Sequence, residues 1–270
     1  MHYDAQIIAD SVNPTGQRLT TFQLTYPRVV HAEIMTHRMF SRNASSSRAI
    51  PVSKTIERVR DNPYIPASWM SNKPGMQGGA PIDADAQLKA TQLWIEASER
   101  AVCLAQQLAA LGVHKEHANR CLEPFSTITV ICSSTNYANF FAQRCHEAAS
   151  PILQTIAYRM REAYDSSRPV ERSGLDWHLP YVSPDERQMP FALKLSVARC
   201  ARVSYLNHDG TRDLEKDVQL YHDLLDMGHF TPFEHQALPD EPVRSGNFFG
   251  WIQHRKLLPN EYISEPYEGR

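Results

Sequence analysis

Histidine, arginine and small hydroxyl side chains crowd residues 36–48: Thr36, His37, Arg38, Met39, Phe40, Ser41, Arg42, Asn43, Ala44, Ser45, Ser46, Ser47 and Arg48. On a helix His37 and Ser41 lie four apart and share a face. Hydroxyls between two guanidinium groups suit the oxygens of a phosphate; the plainer alternative is a solvated serine-rich loop. A second cluster runs Gly228-His229-Phe230-Thr231-Pro232-Phe233-Glu234-His235, where His229 and Thr231 follow a helix stop, a common place for ligand groups. Its plainer reading is a tight turn with packed aromatics and a surface His235. A third combines Arg120 with Asn139 and Arg144. Asn139 and Arg144 differ by about 140° around a helix, so they need not touch one ligand atom. Arg144 could equally complement a helix dipole.

Other patterns weigh less. His114 and His117 in HKEH lack further metal ligands in view, so no metal is expected. Cys145-His146 places a thiol beside a base, yet a lone cysteine is more often a packing residue. Neither GxGxxG nor GxxxxGK[ST] occurs, which removes both common nucleotide loops.

Positioning these groups requires several elements. Alternation over Thr20–Thr25 predicts a strand, with Pro27 opening a helix from Arg28 to about Phe40. Residues 41–50 are polar and short-sided and read as loop. Residues 62–81 hold four prolines and three glycines and must be irregular. Leu93, Ala97, Ala101, Leu104, Leu108 and Leu111 repeat at helical spacing, and Gly112 supplies the stop. A short helix near 114–122, a strand over Thr127–Cys132, and helices over 135–144 and 151–164 follow. Residues 166–190 form a second proline-rich connection. Helices are then predicted through Val197 and Ala201, with a break at Asn207–Gly210, and through Leu214, Val218, Tyr221 and Leu225. The class is α/β or α+β and helix-rich, with blocks 1–165 and 190–270 joined by 166–189.

Composition narrows the function. The chain has 270 residues, 42% hydrophobic and 21% charged, with a formal net charge of -2. That balance argues against a general nucleic-acid binder. No apolar run is long enough to span a bilayer, and the first ten residues lack a signal-peptide pattern. Five cysteines without CxxC spacing suggest reduced thiols and a cytoplasmic setting.

At the three clusters the chain resembles the flavin-dependent thymidylate synthases. Their RHRxxSxxxxSxR signature is similar to Thr36-His37-Arg38 with Ser41, Ser46 and Arg48. Their ARVSY and GHxSPFEH-like blocks are similar to Ala201–Tyr205 and Gly228–His235. A GVxxExAR block followed by a strand and a helix ending in LR is similar to Gly112–Arg120 and Asn139–Arg144. The block order is permuted, because ARVSY and PFEH precede the RHR motif in the family. Trp251-Ile252-Gln253-His254-Arg255-Lys256, with Asn260 and Glu261, looks like a second, partial copy of the motif helix; the alternative is an unrelated amphipathic helix. Thr36 stands for the first arginine, Ala44 for a glutamate, Glu33 for a glutamine, and Ser133 and Thr135 for asparagine and arginine near the flavin.

The resemblance implies a single domain with a central, mostly antiparallel sheet, assembled as a homotetramer with sites between subunits. It implies methylation of dUMP to dTMP, with methylenetetrahydrofolate giving the carbon, reduced FAD the hydride, and NADPH reloading the flavin. Arg144, with Ser46, is then catalytic. Ser46, Ser47, Arg48, Arg120 and Arg144 bind the nucleotide. His37, Arg38, Ser41, Asn139, His229, Thr231, Arg255, Asn260 and Glu261 face the cofactor. The substitutions leave open two other readings: one-carbon transfer (methyl or hydroxymethyl) to a different pyrimidine deoxynucleotide, or a catalytically idle nucleotide-binding relative.

Overall fold

Two long strands start the chain in the computed structural model, which describes residues 2–204, 213–259 and 261. Strands β1 (Asp4–Val12) and β2 (Arg18–Pro27) form an antiparallel hairpin. The chain turns through residues 28–30 into the short helix α1 (His31–Met35) and then enters strand β3 (Ser41–Ala44). Helix α2 (Val52–Asp61), the long helix α3 (Ala84–Ala110), helix α4 (Lys115–Ala118) and strand β4 (Thr127–Ser134) follow. Helices α5 (Ala138–Arg144) and α6 (Pro151–Ser166) lead to the short strand β5 (Val170–Glu171). Helices α7 (Ala192–Ala201) and α8 (Leu214–Asp226) precede a closing hairpin of β6 (Ala237–Ser245) and β7 (Phe248–Gln253). The central sheet has the order β3-β4-β2-β1-β5, antiparallel except for the β1–β5 pairing.

The two faces of β2 explain the layering, because side chains alternate across a strand. Phe22, Leu24 and Tyr26 pack with Val130 and Cys132 against Leu153, Ile156 and Met160 of α6. Each such side chain contributes about 1.5–3 kcal/mol on burial. The opposite face carries Leu19, which packs with Ala237, Phe248 and Trp251 of the closing hairpin. It also carries Thr21, paired in register with Ser133 of β4. Helices therefore cover one face of the sheet, and the chain after residue 190 covers part of the other.

A continuous polar chain runs through that second interface. Ser11 Oγ lies 2.8 Å from His178 Nδ1, and His178 Nε2 lies 2.8 Å from Thr21 Oγ1. Thr21 Oγ1 is 2.7 Å from Ser133 Oγ, which is 2.8 Å from His235 Nδ1. All five side chains are buried. Burial holds both imidazoles neutral: His235 falls from the usual 6.5 to about 3, and His178 is also lowered, with Arg187 and Arg172 adding to the effect.

Several expectations need correction. The helix expected from Arg28 to Phe40 ends at Met35, and residues 41–44 of the expected loop are a strand. Segment 248–253 is a strand followed by a 3-10 turn over His254–Leu257, so it is neither a second motif helix nor an amphipathic one. β1 and β6 were not foreseen. On α3 the buried face is Ser98, Val102 and Ala105, whereas Leu93, Leu104 and Leu111 of the apolar stripe are exposed. Gly112 takes the left-handed conformation (φ +77°) just beyond the expected stop, and Asp83, not singled out in sequence, caps the start by accepting from the Ala86 amide. The expected break at Asn207–Gly210 lies outside the described residues. Among them, no helix is long and apolar enough to cross a membrane.

Removing the central hydroxyl of the polar chain tests its weight. Thr21→Val leaves His178 and Ser133 without a shared partner and should cost about 1–3 kcal/mol in urea unfolding at neutral pH. Below about pH 6.5 the unfolded chain protonates these histidines while the fold keeps them neutral, so stability should fall from about pH 6.5 downward, His235 resisting until about 3. Thermal unfolding from pH 7 to 5 checks the sign.

Candidate functional site

The carbonyls at the end of α1 are satisfied locally. Thr36 Oγ1 donates to the Glu33 carbonyl at 2.7 Å, and Arg42 donates to that of Ile34 at 2.8 Å. This capping ends the helix, so His37 and Ser41 do not share a helical face. Ser41 turns into the interior. It donates to Asn247 Oδ1 and accepts from Gln253 Nε2, both at 3.0 Å, which ties β3 to the closing hairpin.

His37 turns the other way, into a cleft of about 300 Å³ between the residue 36–40 turn and α5. Thr36, His37, Arg38, Asn136, Asn139 and Arg144 all line it. Arg144 Nε donates to His37 Nε2 at 3.0 Å. The imidazole packs edge-on against Phe140 (4.9 Å, 86°) and tilted against Phe40 (5.8 Å, 30°). Burial, then Arg144 and Arg42, lowers the His37 pKa to about 4, so the ring is neutral at physiological pH. Asn139 accepts from Gln143 at 3.3 Å on the rim. Among the described residues no carboxylate lines the cleft.

The serine-rich run lies elsewhere. The Ser45 backbone donates to the Thr129 carbonyl at 2.9 Å, and its hydroxyl accepts from the Thr129 amide at 3.2 Å, extending the β3–β4 edge. Ser46 is exposed and its Oγ accepts from the Arg48 amide; Ser47 is buried. Buried Asn119 donates to the carbonyls of Ser47 (2.7 Å) and Ile50 (2.9 Å), and Lys115 donates to that of Ala49 (3.1 Å). Arg48 pairs with Glu116 at 3.3 Å and Arg120 with Glu123 at 3.1 Å. Ser47 faces a second cleft of about 340 Å³ and Arg120 a third of about 380 Å³; these share Arg28 and Glu123 as walls. Neither Arg48 nor Arg120 reaches the Arg144 cleft within one chain.

The remaining candidates form a third group. Gly228 adopts φ +70° beyond α8, and His229 and Thr231 are exposed at the turn that follows. Glu234 of that turn pairs with Arg255, which also meets Glu261 at 3.2 Å; Lys256 meets Glu261 at 2.6 Å. Arg255 and Glu261 thus satisfy each other, and the bond to Lys256 holds the Glu261 carboxyl below its usual range. Asn260 and Tyr205 lie outside the described residues. His235 is buried, not at the surface.

Sequence reasoning missed the partners that join these groups, Asn247 and Gln253 above all. The signal was present in the departures from the family signature. Ser133 bonds His235, and Thr135 Oγ1 accepts from the Phe249 amide at 3.1 Å. Both exceptional positions receive the block after residue 190. The weaker patterns resolve into local structure: His114 and His146 each accept a backbone amide two residues on. Burial raises the Cys145 thiol pKa. Among the described residues no group of three or more His, Cys, Asp or Glu is placed to hold a metal.

Fold and cleft together define a mixed α/β protein with a guanidinium-bearing pocket at one edge of a mostly antiparallel sheet. Residues 14–170 match the thymidylate synthase complementing protein family, Thy1, and the chain belongs to that family. Its fold is similar to that of a UMP/dUMP methylase, PolB, from Streptomyces cacaoi bound with 5-Br UMP, at 16% identity and a TM-score of 0.50, covering 60% of this chain and 88% of that one. It is also similar to Thymidylate Synthase X (ThyX) from Helicobacter pylori with FAD and dUMP, at 16% identity and a TM-score of 0.40, covering 54% and 67% respectively. No curated protein matches the chain.

The anchoring of the serine run is open to test. Asn119→Ala removes two buried donations and should cost about 1–3 kcal/mol. Hydrogen exchange of residues 45–50 should accelerate, while that of β2 should follow only the global change.

Proposed function

We propose that this chain is a flavin-dependent methyltransferase that converts dUMP to dTMP, taking carbon from methylenetetrahydrofolate, with NADPH as reductant. One observation carries the reading: His37, Arg38, Asn139 and Arg144, drawn from separate stretches of sequence, line a single cleft that among the described residues holds two arginines and no acid. A pyrimidine monophosphate is anionic, and charge builds on its ring as C5 attacks. A fixed guanidinium stabilises that charge in place. Arg144 fills this role, so no cysteine adduct is needed. In agreement, no cysteine lines the cleft, and burial raises the Cys145 pKa and pushes that of Cys132 up to about 12.

The cleft suits part of a flavin dinucleotide only. Its rim offers the exposed donors Arg38 and Asn139 over a floor of Phe40 and Phe140, which fits a planar ring. About 300 Å³ is the lower limit for a drug-sized ligand, so the remainder would lie on further surface. His37, Arg38, Ser41, Asn139, His229, Thr231, Arg255, Asn260 and Glu261 are the proposed cofactor set; the structure turns Ser41 inward, which limits it to a supporting part. When bound, the flavin supplies hydride, and the chain's contribution is to hold base and ring in contact and exclude water.

Ser46, Ser47, Arg48 and Arg120 are the proposed phosphate ligands, with Ser46 also a catalytic candidate. They lie away from the Arg144 cleft in one chain, which supports assembly of the site between copies, as a homotetramer would allow. A second reading is favoured by Thr36. Its hydroxyl is spent on the Glu33 carbonyl, so the cleft lacks one cation of the family signature. Transfer of a methyl or hydroxymethyl group to another pyrimidine deoxynucleotide fits that change. Mass spectrometry of products from dUMP and dCMP separates the two.

Arg144→Ala should fold and still bind dUMP, while turnover drops at least a hundredfold, the usual scale for losing one charge-stabilising donor. Full turnover would end the activation role. Arg48→Ala should weaken dUMP binding about ten- to a hundredfold in calorimetry, as expected for one charge-assisted bond. Deoxyuridine, lacking the phosphate, should bind both proteins equally.

A further inference from the structure

We propose that His37 is a positioning residue: its neutral imidazole fixes the plane of the Arg144 guanidinium without cancelling its charge. This rests on the reading of the cleft as the site of one-carbon transfer, and it takes His37 out of the set that touches cofactor.

The geometry starts from the donor. A guanidinium stays protonated in proteins and has no acceptor. Because Arg144 Nε donates to His37 Nε2 at 3.0 Å, that ring nitrogen must present a lone pair, and the ring proton sits on Nδ1. The imidazole is itself clamped. The His37 amide donates to the Ile34 carbonyl at 3.2 Å, and the Phe40 amide to the His37 carbonyl at 3.2 Å. Phe40 and Phe140, both buried, hold the ring from two sides. The acceptor therefore has one direction.

Which nitrogen is held decides what remains. Contact through Nε uses the inner donor and leaves both terminal NH2 groups to the cleft; among the described residues Arg144 makes no other hydrogen bond or ion pair. The usual way to orient an arginine is a carboxylate, and a carboxylate would neutralise the charge that a developing anion needs. The cleft avoids this. The charged groups facing His37 are Arg144 from α5, Arg42 from β3 and the adjacent Arg38, all cations. Burial, then Arg144 and Arg42, keeps the ring unprotonated down to about pH 4, so the acceptor persists across the physiological range.

Two arms test the assignment on the full-length protein. In the first, the Arg144 Nε–H resonance is followed by 15N NMR with and without dUMP, assigned by its loss in Arg144→Ala. In the parent it should be protected from exchange, and protection should vanish as pH falls through about 4. His37→Ala should abolish protection, and His37→Gln, whose amide oxygen can accept, should restore it. In the second, dUMP turnover in His37→Ala should fall ten- to a hundredfold in kcat with KM little changed, the scale of a misplaced catalytic group. His37→Gln should recover to within a few fold. Adding Arg144→Ala to His37→Ala should cost far less than Arg144→Ala alone. Should Arg144→Ala lose turnover while His37→Ala keeps both turnover and a protected Nε–H, the positioning role is overturned and the cleft assignment stands. Full turnover in Arg144→Ala overturns the cleft assignment itself. Should His37→Ala fail to fold, the pH series on the parent and the Gln variant still decide: a Nε–H that exchanges freely at pH 7 overturns the proposal.

Discussion

Two buried, neutral imidazoles link the central sheet to the segments packed on its second face. The chain Ser11–His178–Thr21–Ser133–His235 joins the central sheet to two residues that follow its last strand, His178 and His235. Each hydroxyl brings one proton and each neutral ring one N–H, so four bonds in series have a common direction. A charged His178 could still donate to both hydroxyls, so what keeps the ring neutral is the cost of burying its charge. Such a row is worth keeping because its alternative is several buried polar groups with nothing to bond. Its far end leaves His235 Nε2 without a partner, which makes that ring the least secure link. The surrounding apolar contacts of Leu19 with Ala237, Phe248 and Trp251 supply the burial that keeps water out.

The same logic recurs in the cleft. There too a neutral histidine accepts from a group that cannot give up its proton, and there too buried aromatics decide where the ring points. The sheet positions both. β4 presents Ser133 to one interface and leads directly into α5, whose last residue is Arg144. β3 presents Ser41 to the closing hairpin, directly after the turn that carries His37. Cleft and cover thus share two strands.

Much of this was legible in the residues. Alternation found β2, helical spacing found α3, β4, α5 and α6 were also placed, and the clusters at 36–38 and 139–144 do meet in one cleft. What escaped was the use of short polar side chains. Ser41, Ser45 and Ser47 look solvated in sequence, yet each is buried, Ser41 and Ser45 with side-chain bonds to partners far along the chain. β1 mixes polar and apolar residues because most of it is only half-buried. The 248–253 segment resembles a helix by motif, but Phe248, Gly250, Trp251 and Gln253 pack as a strand. The leucine spacing of α3 located the helix and its stop, but periodicity tells which residues share a face, not whether that face meets the chain's own core. Arg120 was grouped with Arg144 by residue type and Arg48 by resemblance, and within one chain neither lines the Arg144 cleft.

Gly250 closes the molecule in a literal sense. Its carbonyl accepts from Asn13 Nδ2 at 2.7 Å across 237 residues, and its backbone, at φ +73°, lies so near Gln17 that an added Cβ would come within 2.7 Å of that side chain. Ser133 likewise waits 102 residues for His235. During synthesis the central sheet can pair long before its cover exists, since β4 ends at residue 134. Thr21, Ser133 and Leu19 then stay wet until the hairpin emerges from the ribosome. Non-local closure of this kind is slow, and these contacts cannot form before the hairpin that supplies Gly250 has been made.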